Sequence, residues 1–494
     1  MKANIASIIG IFPFILLTGV LLTSNSKMSA QHLTNIDTLY VTSGTVLYMG
    51  GNFTNDAGAI AENNGIMQLD GDWTNNGIYL PDTGEVKLSG ASQSITGSTA
   101  TTFYDLTLQG TGIKTLTIDA TVTDLLALNN LEMATNTNTL FITTADTSAI
   151  TRTNGFVSSL GAGSLSRMTD MPAPYLFPVG SSIGSPRYRP VEITPATVTP
   201  HGFTVRMANV DATTEGFDRT VKDSTVSSIN PDFYHRINRT TGTDPADIAI
   251  HFDNTVDSGY QAMSHWQNLP QWESTGVVNL INNVSPTLSS LTKSAWNDFA
   301  NTPFALSFEP GPVTLTGSDT TICAGDSVTF TATNGFVNYE FFINGTTAQN
   351  GSDSIYISDT LSNTDTVIVV STDSLGGKSL SDTIFIIVNP VYNTPVAASI
   401  CSGDSLQLPL GLWVDSAGIY NDTLTTISGC DSVITTTVTV DSVYNTLSAA
   451  AVCQGDSIQL PGGTYATSAG TYNDTLTTIS GCDSVITTTV TVDS

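Results

Sequence analysis

The 494 residues predict an all-β chain assembled from several modules. Three observations carry that reading. Short runs of alternating apolar and polar residues recur along the chain, and no segment keeps the apolar spacing of an amphipathic helix for three turns. Gly, Asn, Asp and Ser separate those runs, as tight turns demand. Two blocks, Val391–Ser442 and Val443–Ser494, align at a period of 52, and Tyr420–Ser442 recurs letter for letter as Tyr472–Ser494. At about one domain per 150 residues, the length alone calls for three or more.

Taken in order, residues 1–30 read as a cleaved export signal. Lys2 supplies the positive charge, Ile8–Leu22 the apolar stretch, and Ser29-Ala30 before Gln31 a cleavage site. That stretch of 15 residues is short for a membrane span, no later run is apolar enough to cross, and no Cys stands at the cleavage point to accept a lipid. The expected location is therefore outside the cytoplasm, secreted or on the outer cell surface, with secretion machinery a partner during export. There disulfides persist.

Residues 35–160 predict a β-solenoid. "GNFTNDAG" from Gly51 and "GDWTNNG" from Gly71 lie 20 apart, and Val86/Leu88, Leu106/Leu108, Leu116/Ile118 and Leu126/Leu128 form inward pairs on short strands. Residues 161–310 carry Pro clusters and aromatic islands between alternating runs such as "FTVRMANV" and "DIAIHFD", which suit a compact β-sandwich. In residues 311–390, "SVTFTAT", "YEFFING", "DTVIVVST" and "DTIFIIVNP" fit an immunoglobulin-like sandwich.

The two blocks, residues 391–442 and 443–494, predict small disulfide-stabilised β repeats. In "CDSVITTTVTV", Cys430, Ile434, Val438 and Val440 share one parity, while Thr435, Thr437 and Thr439 share the other, so the cysteine faces the core. A 52-residue exported module buries little surface and gains from a cross-link. The expected bonds join Cys401 to Cys430 and Cys453 to Cys482, leaving Cys323 free, with a Cys430 to Cys453 link as the cross-repeat alternative. No His accompanies these cysteines, which disfavours a metal site.

Charge excludes one class of partner. Lys plus Arg number 15 against 43 Asp plus Glu, a net charge of −28 and pI ≈ 4.1, so a phosphate backbone would be repelled and nucleic acid is not expected. Catalytic signatures are scarce: His32, His201, His235, His251 and His265 occur singly, and HExxH, GxSxG and CxxC are missing. Asp105, Asp119 and Asp124 are the nearest candidates for solenoid glycosidase chemistry, and each also reads as a turn residue. Asp70, Asp72 and Asn75 offer hard oxygens for Ca²⁺ without the twelve-residue loop and its closing Glu, and solenoid corner chemistry accounts for the same letters. No cofactor or metal is expected, and the chain reads as a non-enzyme. Trp266, Trp272 and Trp296 lie within 31 residues of one another beside Tyr260, His265 and Phe299, which suits either a β-core or a ring platform for a sugar or protein ligand.

The repeats, with "CxGDS" at Cys401–Ser405 and Cys453–Ser457, "SAGxYNDTLTT" and "GCDSVITTTVTV", resemble repeat domains of large surface and secreted proteins of Bacteroidota exported by the type IX (gliding-associated) system. "FYDLTLQG" through "TLFI" is similar to their solenoid head segments, and "FPVGSS" through "NTPFAL" to the β-domain that follows. Residues 311–390 resemble their PKD-like or immunoglobulin-like modules, with Gly377 standing where a second cysteine is expected. Such proteins end in a sorting domain; none is present here, so the resemblance implies the N-terminal part of a longer reading frame. It also implies adhesion or surface assembly, with residues 35–310 as a head that contacts a cell-surface glycan or protein and residues 311–494 as a stalk. The competing expectation is a secreted protein that binds or degrades polysaccharide through the solenoid.

Overall fold

Parallel strands at a spacing near 20 residues form the first part of the chain. The structure, a computed structural model, describes residues 15–17, 20–22, 27–257, 259–267, 270–285, 287–299 and 303–494. The export-signal reading falls largely outside these. Its described strands, Ile15–Leu17, Val20–Leu22 and Lys27–Ala30, pair in parallel with Leu33–Asn35, Thr38–Val41 and Val46–Met49. Two compact units make up the chain: Met1–Pro312 with Gly335–Val337 and Ser371–Ser379, and Val313–Asn334 with Asn338–Val370 and Leu380–Ser494. The chain is all-β, with one short 3-10 helix, Ala212–Glu215, among the described residues. No helix among them is long and apolar enough to cross a membrane.

In the first unit, each solenoid coil lays one strand on each of three faces. One face runs Leu33–Asn35, Phe53–Asn55, Trp73–Asn75, Gln93–Thr96, Lys114–Leu116, Glu132–Ala134 and Phe156–Ser158. In-register pairing puts like on like: Leu33 beside Phe53, Phe53 beside Trp73, and Asn35, Asn55 and Asn75 in a column. The aromatic rings fill the interior, with Phe53 and Trp73 centroids 4.6 Å apart. The buried Asn column satisfies itself except at Asn35, whose Oδ1 has no partner among the described residues. Asn35 Nδ2 donates to Asn55 Oδ1 at 2.8 Å and Asn55 Nδ2 to Asn75 Oδ1 at 2.9 Å, while the same amides also reach the Ile60 and Ile78 carbonyls. Val86, Leu88, Leu106, Leu108, Leu116, Leu126 and Leu128 are buried as their alternation predicts, whereas Ile118 is half-buried. Coils also meet at corners that admit only glycine: a Cβ on Gly90 would stand 1.9 Å from the Asp70 carbonyl oxygen. One corner encloses a cation. Lys114 Nζ donates to the carbonyls of Gly90, Ala91 and Thr111 and to Gln93 Oε1 at 2.5–3.2 Å, while burial pulls its pKa down to about 8.

The solenoid does not end where the sandwich begins. Thr101–Phe103, Ala120–Val122, Thr139–Ile142 and Ser164–Thr169 stack in parallel, and the sheet then continues antiparallel through His201–Ala208, Tyr234–Thr241, Pro303–Phe308, Ala262–Trp266 and Trp272–Ser274. A sequence boundary at residue 160 thus falls inside a continuous sheet, and one apolar core runs from Leu33 to Leu306. A second sheet, Tyr175–Phe177, Val191–Pro195, Ala246–Asp253, Leu288–Trp296 and Asn279–Ile281, completes the sandwich.

In the second unit, Leu315–Gly317, Val328–Ala332 and Ile355–Ser358 form one sheet of the immunoglobulin-like module. Thr346–Gly351, Asn338–Ile343, Thr366–Thr372 and Lys378–Leu380 form another, and Thr321–Cys323 pairs in parallel with the last strand, Ile387–Asn389. Each repeat is built alike. Asn393–Cys401 runs parallel to the last strand, Asp431–Asp441, which pairs antiparallel with Gly418–Thr425, and Asn445–Cys453, Asp483–Asp493 and Gly470–Thr477 reproduce this 52 residues later. Cys430 and Val438 are buried and Thr437 and Thr439 exposed, as their parity requires.

The cysteine pairing departs from expectation. Cys323 bonds Cys430 and Cys401 bonds Cys482, with Cα atoms 5.6 and 5.5 Å apart, and Cys453 is the free thiol. Neither expected intra-repeat bond forms, nor does the Cys430 to Cys453 link. The reason is the parallel pairing. Cys401 lies opposite Asp441, at the far end of the 11-residue strand that Cys430 immediately precedes, so the two cysteines of one repeat are roughly 33 Å apart.

The Asn column gives a first test. Asn55→Ala leaves the Asn35 amide and the Asn75 carbonyl oxygen without their buried partner, so urea unfolding of the first unit should lose about 2–4 kcal/mol. Asn64→Ala, at a half-buried position whose bonds to Asp82 and Thr83 lie at the surface, should cost less than about 1 kcal/mol by the same measurement.

Candidate functional site

The aromatic residues of the sandwich lie on a hairpin whose register puts Trp266 opposite Trp272. Their rings meet edge to face at 5.6 Å, and Phe217 packs on Trp266 at the same distance. Alternation along Ala262–Trp266 sends His265 to one face of the sheet and Trp266 to the other. His265 enters the interior, 5.0 Å from the Trp296 ring and 4.4 Å from Phe304. Trp296 comes from the facing sheet and packs on the main core, while Trp266 borders a separate small core of Ala208, Ala212, Val226, Tyr234 and Trp272. The structure therefore brings Trp266 and Trp272 together and separates Trp296 from them by the thickness of a sheet.

Burial divides the three rings further. Trp272 is fully buried, its indole N–H donating to the Phe217 carbonyl at 3.3 Å, so the expectation of Trp272 as a ligand-stacking ring is corrected: it has no face left to offer. The excursion between His201–Ala208 and Ser228–Ile229 covers it, anchored by Glu215, which accepts from Arg206 at 2.7 and 2.5 Å and from the Tyr234 hydroxyl. Burial drives the Tyr234 phenol far up. Trp266 and Trp296 keep partial exposure, and the Trp296 indole N–H is committed to the Asp298 carbonyl. Trp266, beside Phe217 with the Arg236 guanidinium 5.6 Å from that ring, is the aromatic edge that remains open.

The acidic candidates hold coils together. Asp105 accepts from the Leu125 N–H at 3.1 Å and Asp119 from the Thr139 N–H at 2.8 Å, each across one coil. Asp70 accepts from Ser89 at 2.6 Å and from Tyr48, Asp72 from the Ser94 N–H at 2.7 Å, and Asn75 from Asn55. Asp124 raises the pKa of the Tyr104 hydroxyl by its charge. Sequence reasoning missed Glu132. Its buried carboxylate accepts from Ser158 and borders a cavity of about 230 Å³ with Thr115, Asn136 and Ser159. Only coil register, which no local motif displays, brings these residues side by side.

The histidines serve separate places. His32 accepts from the Asn52 N–H at 3.1 Å, and His201 and His251 stand 3.6 Å from Asp244 and Glu192. His235 is buried with Nε2 donating to the Arg189 carbonyl at 2.8 Å, beside the buried Arg189–Asp257 ion pair at 2.5 Å. Burial pushes both His235 and His265 down to about 4, and the Arg189 charge adds to the effect at His235.

No protein-family model matches this chain, and no curated protein matches it. Among solved structures it is similar to the fibronectin(III)-like modules of Clostridium thermocellum CbhA, at 17% identity over 16% of this chain and 96% of that chain, with a TM-score of 0.15.

Two buried neutral histidines make the sandwich sensitive to acid. Their folded pKa values lie below the ordinary 6.5, so the unfolded chain binds more protons between pH 6.5 and about 4. Their contribution is complete above pH 6.5 and is lost as pH falls through that window, by up to about 3 kcal/mol for each group. Urea midpoints followed from pH 7 to 4 should fall for the parent chain and fall less steeply for His265→Phe.

Proposed function

We propose that this chain is an exported, adhesin-like surface protein without catalytic activity, in which the solenoid and sandwich form a ligand-bearing head and the immunoglobulin-like module with the two repeats forms a spacer arm. The observation that carries the reading is the pairing of Cys323 with Cys430 and of Cys401 with Cys482, because both bonds cross from one module to the next. A bond within a module stabilises that module alone; bonds between modules limit how far the series can be drawn out. They also presuppose an oxidising compartment. The exposed Thr437 and Thr439 faces, repeated at Thr489 and Thr491, lack the large anchors that dominate binding energy, which suits a spacer. The resemblance to type IX-exported surface proteins of Bacteroidota supports the same division of labour. Ligand contact is assigned to the open edge at Trp266, with a glycan or a protein as the partner.

A second reading, polysaccharide binding or cleavage by the solenoid, rests on the Glu132 cavity, whose hydroxyl, amide and carboxylate groups suit a sugar. Incubating the intact protein with a glycan panel separates the two. Product formation overturns the non-catalytic proposal, and Trp266→Ala should lower retention on cells or glycan about tenfold while circular dichroism is unchanged.

Pulling between Val313 and Ser494 tests the arm. With both disulfides intact, the shortest covalent route passes from Cys323 to Cys430, back to Cys401, and across to Cys482, about 50 residues or roughly 180 Å when taut. Reduction should lengthen the taut arm more than threefold. Equal lengths before and after reduction would remove the basis for calling it an arm.

A further inference from the structure

Three modules of the second unit carry one motif at one place. Cys323–Ser327, Cys401–Ser405 and Cys453–Ser457 all read Cys-x-Gly-Asp-Ser. In each, the cysteine ends a strand parallel to the last strand of its own module, opposite Asn389, Asp441 and Asp493 respectively. The next residue donates its N–H to the carbonyl of that opposite residue at 3.0, 2.9 and 3.0 Å, and the motif Asp donates its N–H to the cysteine carbonyl at the same three distances. Gly325, Gly403 and Gly455 turn the chain with φ of 92°, 99° and 96°.

Two of the three are bonded, each to the cysteine that precedes the last strand of the following module. The ring closed is the same although the modules differ in size: 41 residues separate Asn389 from Cys430, and 41 separate Asp441 from Cys482. The linkers agree as well. Val391-Tyr392 and Val443-Tyr444 lead into the next module, and the Tyr392 and Tyr444 carbonyls accept from Val433 and Val485 at 2.8 and 2.9 Å. Docking covers little else: Trp413 and its counterpart Tyr465 are 60% and 64% exposed, and Ile427 and Ile479 both project fully into solvent. The first repeat, which carries a successor, and the second thus present nearly the same surface. They differ at the cysteine, half-buried at Cys401 and exposed at Cys453.

We infer that the turn at Cys453 is a docking point for a further module of the same 52-residue type, joined by a disulfide from Cys453 to that module's Gly-Cys-Asp-Ser cysteine. The thiol is not argued alone, since the identical motif in the identical setting is bonded in this way twice in the same chain. Formation balances with a disulfide oxidant such as oxidised glutathione: two protein thiols form the new S–S bond, and the oxidant leaves as two thiols.

The inference is tested on the full chain lengthened after Ser494 by a third copy of Val443–Ser494 and oxidised with glutathione. Peptide mapping without reduction should find Cys453 joined to the added Gly-Cys-Asp-Ser cysteine, both existing bonds retained, and the free thiol moved to the added Cys-x-Gly-Asp-Ser motif. A bond between the two cysteines of the added copy, or a Cys453 that still reacts fully with N-ethylmaleimide, overturns it. A second variant does not depend on folding of the added copy. Cys401→Ser in the present chain frees Cys482, and both Cys453 and Cys482 should then be alkylated; a Cys453–Cys482 bond within the repeat overturns the inference. Neither result depends on whether the head binds a ligand.

Discussion

Parallel pairing between strands that are not neighbours in sequence is the constraint on which this structure rests. Parallel partners enter from the same end, so the chain must return to its starting edge between them. In the solenoid the return is one coil, and it stacks Phe53 on Trp73 and Asn35 on Asn55 on Asn75. In each repeat the return is the hairpin and strand between Cys401 and Asp431, and it sets Cys401 and Cys430 at opposite ends of one ribbon. With no partner inside the module, Cys401, Cys430 and Cys482 find one where consecutive modules meet, and Cys453 stays free. The cross-links thereby act on the joints, and this matters in modules whose own cores comprise only Ile400, Leu408, Val414 and Val438, or Val452, Leu460, Ala466 and Val490.

The first unit solves a different problem with the same geometry. An open solenoid end exposes a sheet edge and invites further strand pairing. Here the stack passes from parallel to antiparallel at Ser164–Thr169 and becomes one sheet of the sandwich, so the edge is used rather than capped. The solenoid and sandwich consequently share a core and belong to one compact unit. A destabilising change on either side of residue 160 is felt across both.

Function is best assigned to what that shared core leaves over. Its polar groups are mostly committed: solenoid carboxylates tie coil to coil, Glu215 holds the excursion over Trp272, and Arg189 is neutralised by Asp257. The Trp266 edge and the Glu132 cavity remain, on separate parts of the unit.

Alternation, turn residues and the 52-residue period were legible before any coordinates, because strand parity and glycine corners are local consequences of backbone geometry. They were enough to establish an all-β class, the solenoid, the buried side of Cys430 and the tandem repeats. Burial of Trp272 was not legible, since it depends on an excursion folding over the hairpin from some fifty residues away. Glu132 went unseen because its neighbours come from other coils. The disulfides were the most instructive case. Parity says which side of a strand a cysteine occupies but not which end of the ribbon its partner reaches, and only the choice of parallel over antiparallel pairing, a tertiary decision, turned the bonds from within the repeats to between them.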